Sequence, residues 1–108
     1  MSMIIAPLLA GNSVILKPSS LTPLVARYIE KIFIDSLFPE NVFRVITTSG
    51  ENAFEMIDRD EIKSLTFIGS TQVGKKVAAE CGRRLIPCAM ELGGNNPAIV
   101  VGDANIEL

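Results

Sequence analysis

The sequence predicts an α/β fold, an open and mostly parallel sheet with crossover helices, on three observations. Short apolar, β-branched runs alternate with longer amphipathic ones along the 108 residues, the pattern of repeated βαβ units. The longer runs carry apolar residues at three- and four-residue spacing and open on hydroxyl residues, proline or glycine, as helices do. No repeat, low-complexity stretch or linker divides the chain, so one unit is expected, burying roughly two-thirds of its accessible surface.

Ser13 to Lys17 (SVILK) is a compact β-branched run followed by Pro18, Ser19 and Ser20, and reads as a buried strand ending in a loop. Thr22 offers an N-cap with Pro23 at the first helical position. Leu24, Val25, Tyr28, Ile29, Ile32 and Phe33 then mark the core face of a first crossover helix ending near Leu37, ahead of Pro39. Phe43 to Thr47 is a second strand, Ser49 and Gly50 a turn, and Ala53 to Ile57 a short helix. Ser64 to Ile68 is a third strand, and the segment from Gly69 to Gly74 runs into a helix that reaches about Cys81. Cys88 to Leu92 and Pro97 to Val101 read as two further strands separated by Gly93 and Gly94.

Composition narrows the function. The net charge is −2, no basic run is present, and five Phe and one Tyr form no stacking platform, so nucleic-acid binding is not expected. Met3 to Ala10 is too short to span a bilayer and has no basic residue before it, so neither a membrane partner nor a signal peptide is expected and the chain is placed in the cytoplasm. Two cysteines and no histidine give no disulfide framework, no Cys/His metal site and no histidine-activated nucleophile. Cys81 and Cys88 have no cationic neighbour to activate them and read as buried small hydrophobes. Charged residues make only 20% of the chain, below the usual quarter, which suggests a surface that something further covers; buried parallel strands alone also raise apolar content.

Three places carry chemistry. A strand, then Gly69 and Ser70, then a helix is a phosphate-binding arrangement, because the first helical turn leaves amides unpaired at the positive end of the helix dipole. Ser70 adds a hydroxyl donor, Gly69 lets the turn take unusual backbone angles, and Gly74 lets the helix approach a strand or cofactor. An ordinary capped βα turn has the same spacing. Lys17 ends a strand at the carboxyl edge, where open α/β sheets bind ligands, and reads either as a ribose or phosphate contact or as a solvated lysine. Glu91 sits among Ala89, Met90, Leu92, Gly93 and Gly94, an apolar setting that would raise its pKa toward that of a general base; a carboxylate satisfied by hydrogen bonds is the plainer reading.

Together these segments resemble the NAD(P)-dependent aldehyde dehydrogenase superfamily along nearly the whole chain. AGNSVILKPS (Ala10 to Ser19) resembles the family's AGN-x-V-x-LKPS segment, TFIGSTQVG (Thr66 to Gly74) its FTGST-x-x-G turn, and MELGGNNP (Met90 to Pro97) its ELGG segment. The resemblance implies a Rossmann-like cofactor-binding domain, of which residues 1–108 form a part, without the catalytic and oligomerisation segments. In that likeness Lys17 and Ser20 contact the adenosine ribose with Pro18 and Ser19 between them, Gly50 lies near the adenine, Gly69 and Ser70 contact the pyrophosphate with Gly74 behind them, and Leu92 lies near the nicotinamide. The implied reaction oxidises an aldehyde to a carboxylic acid through a cysteine thiohemiacetal and thioester, with Glu91 activating the hydrolytic water. NAD or NADP and an aldehyde are the implied ligands, and a homo-oligomer the implied assembly.

Ser20 stands where many NAD-preferring members carry glutamate, which leaves room for a 2′-phosphate beside Lys17 and inclines the expectation to NADP. Asn95 replaces a common lysine. In the family the nucleophilic cysteine lies beyond the ELGG segment and the oxyanion-stabilising asparagine upstream, so residues 1–108 alone are expected to be inactive. A non-catalytic α/β module that binds a nucleotide or a partner protein is the rival expectation.

Overall fold

Backbone amides in short extended runs need a neighbouring strand, and in the computed structural model, which describes residues 2–105, four such runs find one. In chain order the elements are α1 (Ser2–Leu9), β1 (Val14–Leu16), α2 (Pro23–Asp35), β2 (Phe43–Val45), α3 (Gly50–Ile57), β3 (Leu65–Ile68), α4 (Thr71–Arg83) and β4 (Cys88–Glu91). β1 pairs parallel with β2, Val14 opposite Phe43, and β3 pairs parallel with β4, Leu65 opposite Cys88. Parallel strands joined by helices are the α/β arrangement the sequence predicts. The strands differ from the prediction in forming two two-stranded sheets rather than one continuous sheet.

Other corrections have local causes. Pro97 to Val101 is not a strand; Ile99 is 90% exposed, and no neighbouring strand among the described residues completes a ladder for it. The opening apolar run folds as α1, with Pro7 inside it. Thr22 stands at the N-cap of α2 but accepts no capping hydrogen bond, since its backbone (φ −131°, ψ 42°) is not extended. The caps of α3 and α4 do form: Ser49 Oγ accepts from Asn52 N–H at 3.1 Å and Ser70 Oγ from Val73 N–H at 3.3 Å.

Three helices close in one way. After α1, Asn12 N–H donates to the Pro7 carbonyl and Gly11 N–H to that of Leu8, both at 3.0 Å. After α2, Phe38 and Leu37 donate to Phe33 and Ile34; after α4, Ile86 and Leu85 donate to Cys81 and Gly82. Each is a Schellman closure with a left-handed residue at its centre: Gly11 at φ 82°, Leu37 at 54° and Leu85 at 56°. Glycine takes that conformation freely, whereas leucine is strained by about 1–2 kcal/mol. Because Leu37 and Leu85 are 92% and 91% exposed, each substitution Leu→Gly sacrifices no packing. Leu37→Gly and Leu85→Gly are each expected to raise stability by about 0.5–1 kcal/mol, the relieved strain less glycine's extra freedom in the unfolded chain. Urea midpoints check this, and a lowered midpoint counts against the strain argument.

The core lies in two places. Ile57, Val77 and Cys81 are buried, with Phe54, Leu65, Phe67, Ile86 and Met90 packed around them. Phe43 is buried under α2, stacked on Phe33 at 4.4 Å, while Phe38 meets Phe33 edge-on at 5.1 Å. Arg84 joins the ends of α3 and α4 by donating to the Ile57 and Arg59 carbonyls and pairing with Asp60 at 2.8 Å. Ile46 N–H donates to Leu16 in β1; Val45 N–H faces the other way and donates to Glu30 Oε1 at 2.8 Å.

The face of α2 expected to meet the core largely does not. Ala26 is its buried residue, while Leu24, Val25, Tyr28 and Ile32 are exposed, because a two-stranded sheet is too narrow to cover the whole apolar stripe. Cys88, expected to be buried, is exposed, whereas Cys81 is buried as expected. The radius of gyration, 17.2 Å, exceeds the roughly 13 Å of a compact domain this long.

Candidate functional site

Parallel pairing brings the carboxyl ends of neighbouring strands to one edge, and every candidate site residue except Gly74 lies at or just beyond such an end. In the β3–β4 half, Ile68 pairs with Glu91, and Gly69 N–H donates to the Glu91 carbonyl at 3.2 Å. The Gly69–Ser70 turn is thereby fixed beside the end of β4. Ser70 Oγ accepts the Val73 amide and its carbonyl accepts the Gly74 amide. The Ser70 hydroxyl proton remains available to a ligand oxygen, and the first-turn amides of Thr71 and Gln72 have no helical acceptor.

Gly74 is buried against Leu92: a Cβ built there lies 2.5 Å from Leu92 Cδ2. Close approach, the sequence-based reason for this glycine, therefore holds, with Leu92 as the group approached. Gly69 is there for a different reason from the one expected. It has no positive φ; instead a Cβ would stand 2.5 Å from Phe67 Cζ. The Phe67 ring leans over Gly69, two residues along the same strand face. Sequence reasoning missed Phe67 as a positioning residue, although an aromatic two residues before a glycine at a strand end was the signal.

Glu91 is exposed. The apolar enclosure expected around its carboxylate is not formed by the described residues, because the following Gly93 and Gly94 are exposed as well. In this structure the Glu91 side chain is open to water.

The β1–β2 half holds the other candidates. Lys17 follows β1 and is exposed; Pro18 is half-buried. Ser19 shapes the loop, its Oγ accepting from Leu21 N–H at 3.2 Å and its carbonyl from Thr22 N–H at 3.1 Å. Ser20 stands exposed within that turn, and Gly50 is the exposed first residue of α3, just beyond the Ser49 cap. Lys17 and Gly50 thus lie beyond the carboxyl ends of adjacent strands. The structure gathers Gly69, Ser70, Gly74, Glu91 and Leu92 at one edge and Lys17, Pro18, Ser19, Ser20 and Gly50 at another, and no hydrogen bond links the two groups among the described residues. No group of three or more metal-ligating side chains occurs among the described residues, nor any helix long and apolar enough to cross a membrane.

The profile of the aldehyde dehydrogenase family matches residues 1–108. The chain belongs to the aldehyde dehydrogenase family. It is 39% identical over 101 residues to a D-glyceraldehyde dehydrogenase (NADP(+)) of Picrophilus torridus, covering 93% of this chain and 20% of that protein. It is 42% identical over 105 residues to a benzaldehyde dehydrogenase [NAD(+)] of Pseudomonas putida, covering 95% and 22%. In three dimensions it matches a salicylaldehyde dehydrogenase from Pseudomonas putida G7 with a TM-score of 0.83 at 34% identity, covering 94% of this chain and 22% of that one. The chain therefore spans about a fifth of the length of the curated dehydrogenases it matches.

Proposed function

We propose that this chain is part of the Rossmann-like cofactor-binding domain of an NAD(P)-dependent aldehyde dehydrogenase that oxidises an aldehyde to the carboxylic acid. The observation that carries the reading is the locus where the Gly69–Ser70 turn, the start of α4 and the end of β4 meet, held by the Gly69 to Glu91 hydrogen bond. Its unpaired amides and the Ser70 hydroxyl suit a pyrophosphate. Lys17 and Ser20 would hold the adenosine ribose, flanked by Pro18 and Ser19, with Gly50 near the adenine and Leu92 near the nicotinamide. When bound, NAD(P) supplies the hydride acceptor. Glu91 would take a proton from the water that hydrolyses the acyl group, whose cysteine carrier is not among residues 1–108.

We further infer a preference for NADP. A 2′-phosphate beside Lys17 gains a charge-assisted contact, and Ser20 offers a hydroxyl rather than an opposing carboxylate. Both cofactors occur among the relatives, NADP in the Picrophilus enzyme and NAD in the benzaldehyde dehydrogenase. The reading extends to a cytoplasmic enzyme working as a homo-oligomer, with no nucleic-acid or membrane partner.

Calorimetric titration of the chain with each cofactor tests this. Saturable NADP binding is expected, weakened about 10- to 100-fold by Lys17→Ala, the range for a lost hydrogen bond to a charged group. Ser20→Glu is expected to shift the preference toward NAD by placing a carboxylate against the 2′-phosphate. Absence of binding, or binding indifferent to both substitutions, overturns the assignment of these residues.

A further inference from the structure

Cys81 and Cys88 are seven positions apart in sequence, and the fold returns one to the other. The Schellman closure at the end of α4 turns the chain back over its own last turn, with Ile86 N–H donating to the Cys81 carbonyl at 3.0 Å; two residues later Cys88 opens β4. Alternate strand residues share a face, so Cys88 lies on the face of Met90, which packs against the cluster containing Cys81. The strand partners agree: Cys88 pairs with Leu65 and Met90 with Phe67, and both partners pack on that cluster. Strand phase and the chain reversal therefore turn both side chains toward the same cluster at one helix–strand corner. They differ in access, Cys81 being wholly buried and Cys88 exposed.

We propose that Cys81 and Cys88 form a dithiol that a hydroperoxide converts to an intramolecular disulfide, making this helix–strand corner an oxidation site of the protein. Peroxide reaches the exposed Cys88 first: its thiolate attacks one peroxide oxygen, an S–O bond forms, the O–O bond breaks, and the departing oxygen leaves as water after taking a proton. Cys81 then attacks the Cys88 sulfenic sulfur, the S–S bond forms, the S–O bond breaks, and the hydroxyl leaves as a second water with the Cys81 proton. Two thiols are oxidised by two electrons and one hydroperoxide is reduced, to two waters when it is hydrogen peroxide. Burial pushes the Cys81 thiol above its ordinary pKa, with Cys88 and Glu80 adding to the effect, so Cys81 stays protonated and suits the second, resolving role. The proposal is independent of the cofactor reading and is tested by mass and redox equilibrium alone.

The reduced 108-residue chain is treated with hydrogen peroxide, unfolded, labelled with a maleimide and weighed. The expected product is a monomer lighter by two hydrogens that takes up no maleimide. Cys81→Ser is expected to leave a Cys88 sulfenic acid that dimedone traps, and Cys88→Ser to leave Cys81 unoxidised and open to maleimide only after unfolding. A second measurement needs no variant: equilibrated against mixtures of reduced and oxidised glutathione, the folded chain is expected to keep its disulfide at a reduced-to-oxidised ratio at least about tenfold higher than the chain held unfolded in urea. Two maleimides after peroxide, a disulfide-linked dimer as the main product, or equal ratios for the folded and unfolded chain each overturn the proposal.

Discussion

Glu91→Gln, introduced into an aldehyde dehydrogenase that includes residues 1–108, is expected on the proposed general-base role of Glu91 to lower steady-state turnover by about 10²- to 10⁴-fold. Glutamine preserves the shape of the side chain and cannot accept the proton. The substitution should not disturb the strand, because Glu91 is fixed through its backbone, by its pairing with Ile68 and by the bond from Gly69 N–H, while its side chain is exposed. Rapid-mixing kinetics give the decisive measurement. On the proposed role of Glu91 in the hydrolysis that follows hydride transfer, a first burst of reduced cofactor should survive at nearly its full amplitude while later turnovers collapse. Unchanged steady-state turnover would remove Glu91 from the chemistry, and loss of the burst would place its role before hydrolysis.

Phe43→Ala is expected to cost about 3–5 kcal/mol, the usual range for deleting a buried aromatic ring. Phe43 is 5% exposed and stacked on Phe33, and Phe33 in turn meets Phe38, so one truncation loosens α2, β1 and β2 together. Against a stability of about 5–15 kcal/mol for an ordinary domain, this is a large share. Urea unfolding measures the loss, and amide exchange should localise it: β1 and β2 lose protection first, while the helix carrying Val77 and Cys81 keeps more of its own. A loss under about 1 kcal/mol would mean that Phe43 is not the centre of that half.

These expectations draw on features of unequal legibility. Punctuation was readable in part: the breaks at Ser49–Gly50 and Gly69–Ser70 stand out as local signals, but Ser49 was read as a turn rather than as the cap of a helix beginning at Gly50, and the cap expected at Thr22 does not form. The strand–turn–helix order around Gly69 and Ser70 and the order of the three family segments were readable as well, since each lies in contiguous sequence. Pairing was not. Pro97 to Val101 has the residues of a strand, yet a strand exists only where a neighbour satisfies its amides, and no periodicity in one segment reports its neighbour. Of the apolar stripe read in α2, Ile29 and Phe33 lie on the covered side, Phe33 stacking on Phe43, while Leu24, Val25, Tyr28 and Ile32 stay exposed and the buried residue, Ala26, was not in the stripe. Glu91 shows the same limit at the site. Apolar neighbours in sequence suggested enclosure, whereas successive strand residues point to opposite faces and the glycines that follow enclose nothing. Phe67 over Gly69 and the thiol pair at the end of α4 depend on strand phase combined with a chain reversal, and neither is visible until both are placed.

The carboxylate of Glu30 on the Val45 amide gives the β1–β2 sheet a direction of growth. A strand arriving alongside β2 would have to evict that carboxylate from the amide it occupies and leave an anion in a closing seam, a penalty no single ladder bond repays. Addition of strands is thereby steered past β1, and self-templated stacking of copies through β2 is discouraged. In Glu30→Ala that outer border loses its guard, and the sheet becomes extensible from both sides.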